Sequence, residues 1–160
     1  MVDVMSAGKR SALMSRIRGK HTRPEMQIRK LLWHAGFRYR LHGPKLPGRP
    51  DVVLPRWRAV ILVHGCFWHY HEGCVLFRLP ATRTEFWLNK LSGNRERDRR
   101  SIRELQERGW RVAIVWECAL KVDEARVEQS LTRWLRSDSP AIEVFRDGTE
   151  VVNLTASALQ

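Results

Sequence analysis

Pro50-Asp51-Val52-Val53-Leu54-Pro55-Arg56-Trp57-Arg58-Ala59-Val60-Ile61-Leu62-Val63-His64 is the stretch from which the fold is read. Asp51 to Leu54 forms a short apolar strand, Pro55 and Arg56 make a turn, and Ala59 to Val63 is apolar throughout. An unbroken apolar run of that length reads as a strand buried on both faces, which requires helices on each side of a sheet. Pro50 cannot donate to a ladder and should keep Arg49 extended, so Asp51 opens its strand at a sheet edge.

Working outward, Ser11 to Arg18 reads as a short basic helix with Leu13, Met14 and Ile17 on one side. Thr22 is an N-cap followed by Pro24 and Glu25 in the first turn. Met26, Ile28, Leu31, Leu32 and Ala35 then recur at helical spacing until Gly36. Phe37 to Leu41 alternates as a strand, and Pro44 to Pro50 is a loop by composition. On the other side, residues 64 to 80 show no period. Thr84 to Arg108 is a long charged helix, with a bend expected near Gly93 and with Leu88, Leu91, Ile102 and Leu105 inward. Gly109 stops it before a strand from Trp110 to Trp116. Asp123 to Arg136 is amphipathic, and Ile142 to Phe145 with Glu150 to Leu154 flank the hairpin signal Asp147-Gly148. The order describes an α/β domain with a mixed central sheet flanked by helices.

Among the 160 residues Lys plus Arg number 29 and Asp plus Glu 17, a net charge of +12. Residues 1 to 40 hold ten Lys or Arg against Asp3 and Glu25, and a second basic block spans Arg95 to Arg108. Such a surface repels itself and is relieved by a polyanion, nucleic acid before acidic lipid. No apolar run reaches the roughly 18 residues of a membrane span. The basic segment Met1 to Arg18 lacks an apolar h-region, so a cytoplasmic location is expected. Three cysteines, an odd number, argue against a disulfide framework.

Unusual chemistry concentrates in His64-Gly-Cys66-Phe67-Trp68-His69-Tyr-His71-Glu-Gly-Cys74. Cys66, Cys74, one histidine between them and the distant Cys118 supply the four ligands of a closed, structural zinc site. Spacing alone leaves His69 and His71 both open; His71 is favoured because His69 then stays free for chemistry. Asp51 offers the hard oxygen that magnesium prefers, although an acid there is also an ordinary turn residue. Phe67-Trp68 is either core packing or a wedge between bases, whose unstacking costs a few kcal/mol and less at a mismatch. Arg95, Arg97, Arg99 and Arg100 suit phosphates or a solvated helix face, and Lys90 and Asn94 are candidates to reach bases.

The acid, turn and second strand resemble the restriction-endonuclease-like core, in which the second strand normally ends Glu-x-Lys. Here the place reads Leu62-Val63-His64, so a histidine would take over the lysine's work. The strings Leu46-Pro-Gly-Arg-Pro-Asp51, His64-Gly-Cys-Phe-Trp-His69, Pro80-Ala-Thr-Arg-Thr-Glu-Phe-Trp87, Asn94-Arg-Glu-Arg-Asp-Arg-Arg100 and Gly109-Trp-Arg-Val-Ala-Ile-Val-Trp-Glu-Cys118 resemble the very-short-patch-repair (Vsr) mismatch endonucleases, over residues 8 to 121. The resemblance implies a bacterial, nucleoid-associated enzyme that nicks next to the T of a T:G mismatch left by 5-methylcytosine deamination. It implies Asp51 and the Val63 carbonyl as magnesium ligands, His69 as general base oriented by Asp98, and His64 at the cleaved phosphate. By the same resemblance Glu25 would help through metal-bound water, and Cys66, His71, Cys74 and Cys118 would hold zinc. The resemblance also implies that Phe67, Trp68 and Trp87 insert from one groove and that Met14 approaches from the other. The Glu72-Gly73 pair puts Cys74 one position later than the family spacing.

The expectation is therefore one endonuclease domain over 1–160: a DNA-clamping helix in 1–20, a catalytic and zinc core in 21–121, and a C-terminal helix and hairpin in 122–160. The partners implied are mismatched double-stranded DNA and, functionally, a cytosine-5 DNA methyltransferase, with a mismatch-repair helper protein as a further candidate. A single clamping domain suits a monomer. Two rivals stand beside this: a zinc-stabilised DNA-binding module that does not cut, and a restriction-like endonuclease acting on undamaged sites.

Overall fold

The computed structural model describes residues 6–17 and 19–150. Six strands form one mixed sheet in sequence order: β1 (Arg40–Leu41), β2 (Val52–Leu54), β3 (Ala59–His64), β4 (Arg111–Trp116), β5 (Ala141–Phe145) and β6 (Gly148–Glu150). The β2–β3 hairpin is antiparallel around a single 3-10 turn, Pro55–Trp57, while β3, β4 and β5 run parallel. Every residue of β3 is buried, as its unbroken apolar run requires.

The helices are α1 (Ala7–Arg16), α2 (Arg23–His34), α3 (Thr84–Glu107), α4 (Glu117–Val122) and α5 (Glu124–Leu135). One face of the sheet (Ala59, Ile61, Val63, Ala113, Val115, Ile142, Val144) packs against Ile28, Leu31 and Leu32 of α2, Ala119 and Leu120 of α4, and Val127, Leu131 and Trp134 of α5. The other (Val60, Leu62, Val112, Ile114, Trp116) packs against Ile102 and Leu105 of α3. The alternation along β3 and β4 thus sends successive side chains into two different cores.

Several local expectations shift. α1 starts earlier than Ser11 because Ser6 caps it, accepting from the Lys9 N–H, and none of its residues is buried. The Thr22 cap holds, accepting from the Glu25 N–H. After Ala35 the Gly36 N–H bonds the Trp33 carbonyl and the Phe37 N–H that of Leu32, a Schellman closure that takes Phe37 into the core instead of a strand. β1 is therefore only Arg40–Leu41. Arg49 is not extended: its φ is +46°, and its N–H closes a turn onto the Leu46 carbonyl. α3 runs as one helix through Gly93, where glycine costs about 1 kcal/mol but does not end it. The strand from Trp110 gives way after Trp116 directly to α4, a helix the sequence did not announce. The expected second hairpin strand begins at Gly148; residues 151–154 lie outside the described residues, as does Arg18.

Candidate active site and metal centre

Asp51 stands immediately before β2, at the floor of a cleft of about 550 Å³ lined also by Lys20, Glu25, His42, His64, Trp68, His69 and Asp98. The preceding loop is pressed against α3: a Cβ on Gly48, whose φ is +69°, would lie 2.8 Å from the Ser101 Cβ. The Val63 N–H donates to Asp51 Oδ2 at 2.7 Å across the β2–β3 hairpin. Burial pushes the Asp51 carboxyl up to about 6, with Glu25 adding to the rise and the Val63 N–H and His69 opposing it. Ligand atoms of Glu25, His42 and Asp51 lie within 4.8 Å of one another. A half-buried carboxylate that resists ionisation in such a cluster has the donor set of a divalent-cation site.

Glu25 is more heavily engaged than its place in a capping box suggests. Its Oε1 accepts from the Thr22 hydroxyl at 3.2 Å, and its Oε2 from the His21 N–H and from Arg29, each at 3.0 Å. Arg29, itself buried, also contacts His21 Nδ1 at 2.8 Å and His42 Nε2 at 3.0 Å. Burial first, then Arg29, holds the His42 imidazole below its ordinary range. Neither histidine carried a sequence signal; their left-handed backbone (φ +55° at His21, +46° at His42) is visible only in the fold.

β3 ends in His64, and the next turn returns His69 over it: the rings stack at 3.9 Å with an interplanar angle of 3°. His64 is 5% exposed, and burial, with His69 and His71 nearby, keeps its imidazole neutral. Asp98, from the middle of α3, meets His69 Nδ1 at 2.7 Å. A carboxylate there fixes the proton on Nδ1 and leaves the Nε2 lone pair free to accept a proton. The helix and the strand end thus bring His64, His69 and Asp98 to one point.

A second cluster lies behind the first. Cys66, His71, Cys74 and Cys118 converge, their ligand atoms within 4.8 Å of one another. His71 Nδ1 is 3.5 Å from Cys66 Sγ and 3.7 Å from Cys118 Sγ. Left-handed turns at Tyr70 (φ +54°) and Gly73 (φ +75°) carry the lengthened Glu72-Gly73 connection back, so Cys74 still reaches the others. Cys118 sits in the first turn of α4. Hydrogen bonds from Cys66 and His71 hold it as the thiolate, down to about 4, and the shared proton pushes Cys66 up. Three sulfurs and one imidazole nitrogen, two of the thiols wholly buried, have the composition and softness of a structural zinc centre. His69, by contrast, points to Asp98.

Beside the cleft the aromatic rings form a half-buried group. Phe67 is 5.0 Å from Trp68 and 5.5 Å from Trp87, and Trp68 is 6.1 Å from Trp87. Phe86, 44% exposed, extends it. The Lys90 ammonium lies over Trp68, Phe86 and Trp87 at 5.5 to 5.9 Å. Asn94 donates to the Trp68 carbonyl at 3.0 Å and accepts from Arg97, so its amide braces the aromatic segment. Arg95 pairs with Glu72 at 3.4 Å. Met14 is half-buried on α1.

Residues 2–75 match the family model described as DNA mismatch endonuclease Vsr. The chain is 44% identical over 156 residues to the DNA mismatch endonuclease Vsr of Escherichia coli (strain K12), covering 95% of this chain and 99% of that one. It is 49% identical over 120 residues to the type II nicking enzyme V.XorIIP of Xanthomonas oryzae pv. oryzae, covering 75% and 88%. It is 40% identical over 142 residues to the type II nicking enzyme V.NmeAIP of Neisseria meningitidis, covering 89% and 100%. The class is that of DNA endonucleases. Within it, the chain belongs to the Vsr DNA mismatch endonuclease family. Among the described residues no helix is long and apolar enough to cross a membrane.

Proposed function

We propose that this endonuclease nicks one strand of duplex DNA beside the T of a T:G mismatch, the product of 5-methylcytosine deamination, and so begins very-short-patch repair in the bacterial cytoplasm. One observation carries the reading: the His69–Asp98 pair, at 2.7 Å, faces the same cleft as Asp51 and lies next to the Phe67–Trp68–Trp87 group.

On this reading Asp51 and the Val63 carbonyl hold magnesium, with Glu25 acting through water. A divalent cation held there would supply Lewis-acid stabilisation of the scissile phosphate and of the leaving oxygen. His69 Nε2 takes the proton of the attacking water while Asp98 holds Nδ1–H, an effect worth roughly 10² to 10⁴ in rate. His64, kept neutral by burial, donates a hydrogen bond to the phosphate without a charge to titrate. Phe67, Trp68 and Trp87 enter the stack at the mismatch, where unpairing costs least, and Met14 on α1 approaches from the opposite groove. Lys90, Arg95 and Arg97 contact the strand, and Asn94 holds the wedge in place. Zinc on Cys66, His71, Cys74 and Cys118 gives order to a segment without ladder hydrogen bonds, on the order of 10 kcal/mol of folding energy. Residues 1–20 clamp, 21–121 catalyse, and β5 and β6 complete the sheet in a monomer that works with a cytosine-5 methyltransferase and, as a candidate, a mismatch-repair helper.

The test is a labelled T:G duplex incubated with magnesium beside its T:A control. Nicking of the mismatch alone supports the reading, and an intact mismatch with folded, zinc-loaded protein refutes it. A second reading, strand nicking at an undamaged recognition sequence, draws on the names of the Xanthomonas and Neisseria relatives. It predicts cutting of the T:A control as well.

A further inference from the structure

We propose that Glu143, on β5, is a positioning residue for the catalytic imidazoles, acting through Trp116; the inference rests on the nuclease reading above. Glu143 stands opposite Ile114 in the parallel β4–β5 ladder, so it shares the α3-facing side of the sheet with Ile114 and Trp116. Its neighbours on that side of β4 and β5, Val112, Ile114, Trp116 and Phe145, are apolar. The acid there accepts a hydrogen bond from the Trp116 indole N–H at 2.5 Å.

Trp116 separates the two clusters of the site. His71 lies flat on its indole (3.9 Å, 11°), and His64 meets it edge-on (5.1 Å, 75°). His64 in turn stacks on His69, which holds Asp98. The row Glu143–Trp116–His64–His69–Asp98 therefore runs from β5 through the general base to α3. His64 depends on it: its buried Nδ1 has no hydrogen-bond partner among the described residues, so ring contacts set its plane. The indole is not held by packing alone. A cavity of about 450 Å³, lined by His64, His69, His71, Asp98, Trp116 and Glu143, opens beside it. A tryptophan's second side-chain torsion is broad, and the bond to Glu143 fixes the ring against that freedom.

The experiment compares Glu143→Ala with Glu143→Gln, which keeps an acceptor for the indole. Single-turnover nicking of a T:G duplex, duplex Kd, zinc content and the His64 and His69 ring-proton resonances of the zinc-loaded protein are measured. Glu143→Ala should slow nicking by about 10- to 100-fold, as a misplacement near 1 Å does. Its Kd and zinc content should stay within about twofold, because ground-state binding is untouched. Its histidine resonances should move. Glu143→Gln should resemble the wild type in all four measurements. Trp116→Phe, which removes the N–H and keeps a ring, should slow nicking without adding to the Glu143→Ala effect. Wild-type rate and unmoved resonances in Glu143→Ala overturn the inference, as does a Glu143→Gln protein as impaired as Glu143→Ala. Should the wild type leave T:G duplexes intact, the specificity reading falls, while the resonances alone still decide the coupling.

Discussion

Replacing Asp51 by Asn should destroy nicking and yet make the magnesium-free protein more stable. The carboxyl rises from 3.8 to about 6 in the fold, chiefly through burial. A group that binds its proton more tightly when folded opposes folding once ionised. The opposition is complete above the folded value, shrinks as pH falls through about 6, and vanishes below 3.8. At about 1.4 kcal/mol per pH unit the difference is about 3 kcal/mol. Water in the open cleft screens part of it, leaving about 1 to 3 kcal/mol. For a chain of this size each kcal/mol moves Tm by about 2–4 °C. Asn keeps an oxygen for the Val63 N–H, so the replacement changes charge with little change of shape. Thermal melts in magnesium-free buffer, with zinc retained, should show Asp51→Asn about 2–12 °C above wild type at pH 7.5 and level with it near pH 4. Magnesium at about 100 times its Kd should then raise the wild type by about 2.7 kcal/mol and leave Asp51→Asn unmoved. A variant that melts at or below the wild type at pH 7.5 would refute the claim that the cleft holds this carboxylate at a cost and that the cation relieves it.

Cys118→Ala should lower zinc content, by elemental analysis, together with Tm; full zinc occupancy in the variant would break the proposed ligand set. His69→Gln and Asp98→Asn should each reduce single-turnover nicking by about 10²-fold or more while leaving duplex Kd nearly unchanged. Trp68→Ala should weaken binding of a T:G duplex more than of its T:A control, by about 1–3 kcal/mol in a titration, because a lost stacking partner matters only where bases are opened. Arg97→Ala should reduce the slope of log Kd against log salt by about one unit of phosphate contact, measured by anisotropy.

How far the sequence reaches can be seen at particular residues. The unbroken run Ala59 to Val63 announced a strand buried on both faces, because only a covered sheet tolerates no alternation. The order of strands and long helices was legible from periodicity. α4 was not: six residues between a strand and a capped helix are too few to show a helical period. β1 was overread, since Phe37 joins the helix closure and the core. At the site, chemistry was legible where unusual residues cluster along the chain, as from His64 to Cys74. It was illegible where ordinary residues meet only in space. Nothing along the chain singles out Glu143; only the parallel β4–β5 register puts it on the α3 side, within reach of the Trp116 indole. Arg29 with His21 and His42 is a similar case, joined by a left-handed turn at each histidine.

The order of residues between Cys66 and His71 gives the proposed zinc a reason beyond stability. Phe67, Trp68 and His69 lie between those two ligands, and the segment's backbone bonds are isolated turns such as His71 N–H to the Cys66 carbonyl. No ladder fixes these three side chains. A centre that ties Cys66 and His71 to Cys118 on α4 therefore anchors both ends of the span carrying the wedge and the base. Its loss should disturb mismatch entry and proton transfer together, not in sequence. Asp98 and Asn94, four residues apart on one face of α3, complete the constraint by holding His69 and the Trp68 carbonyl from the opposite side. On the proposed reading the distance between the Trp68 ring and His69 would be set by β3, α3 and the zinc-bound loop together. On that reading, a base opened by the wedge would bring its neighbouring phosphate to His69 without a separate closing motion.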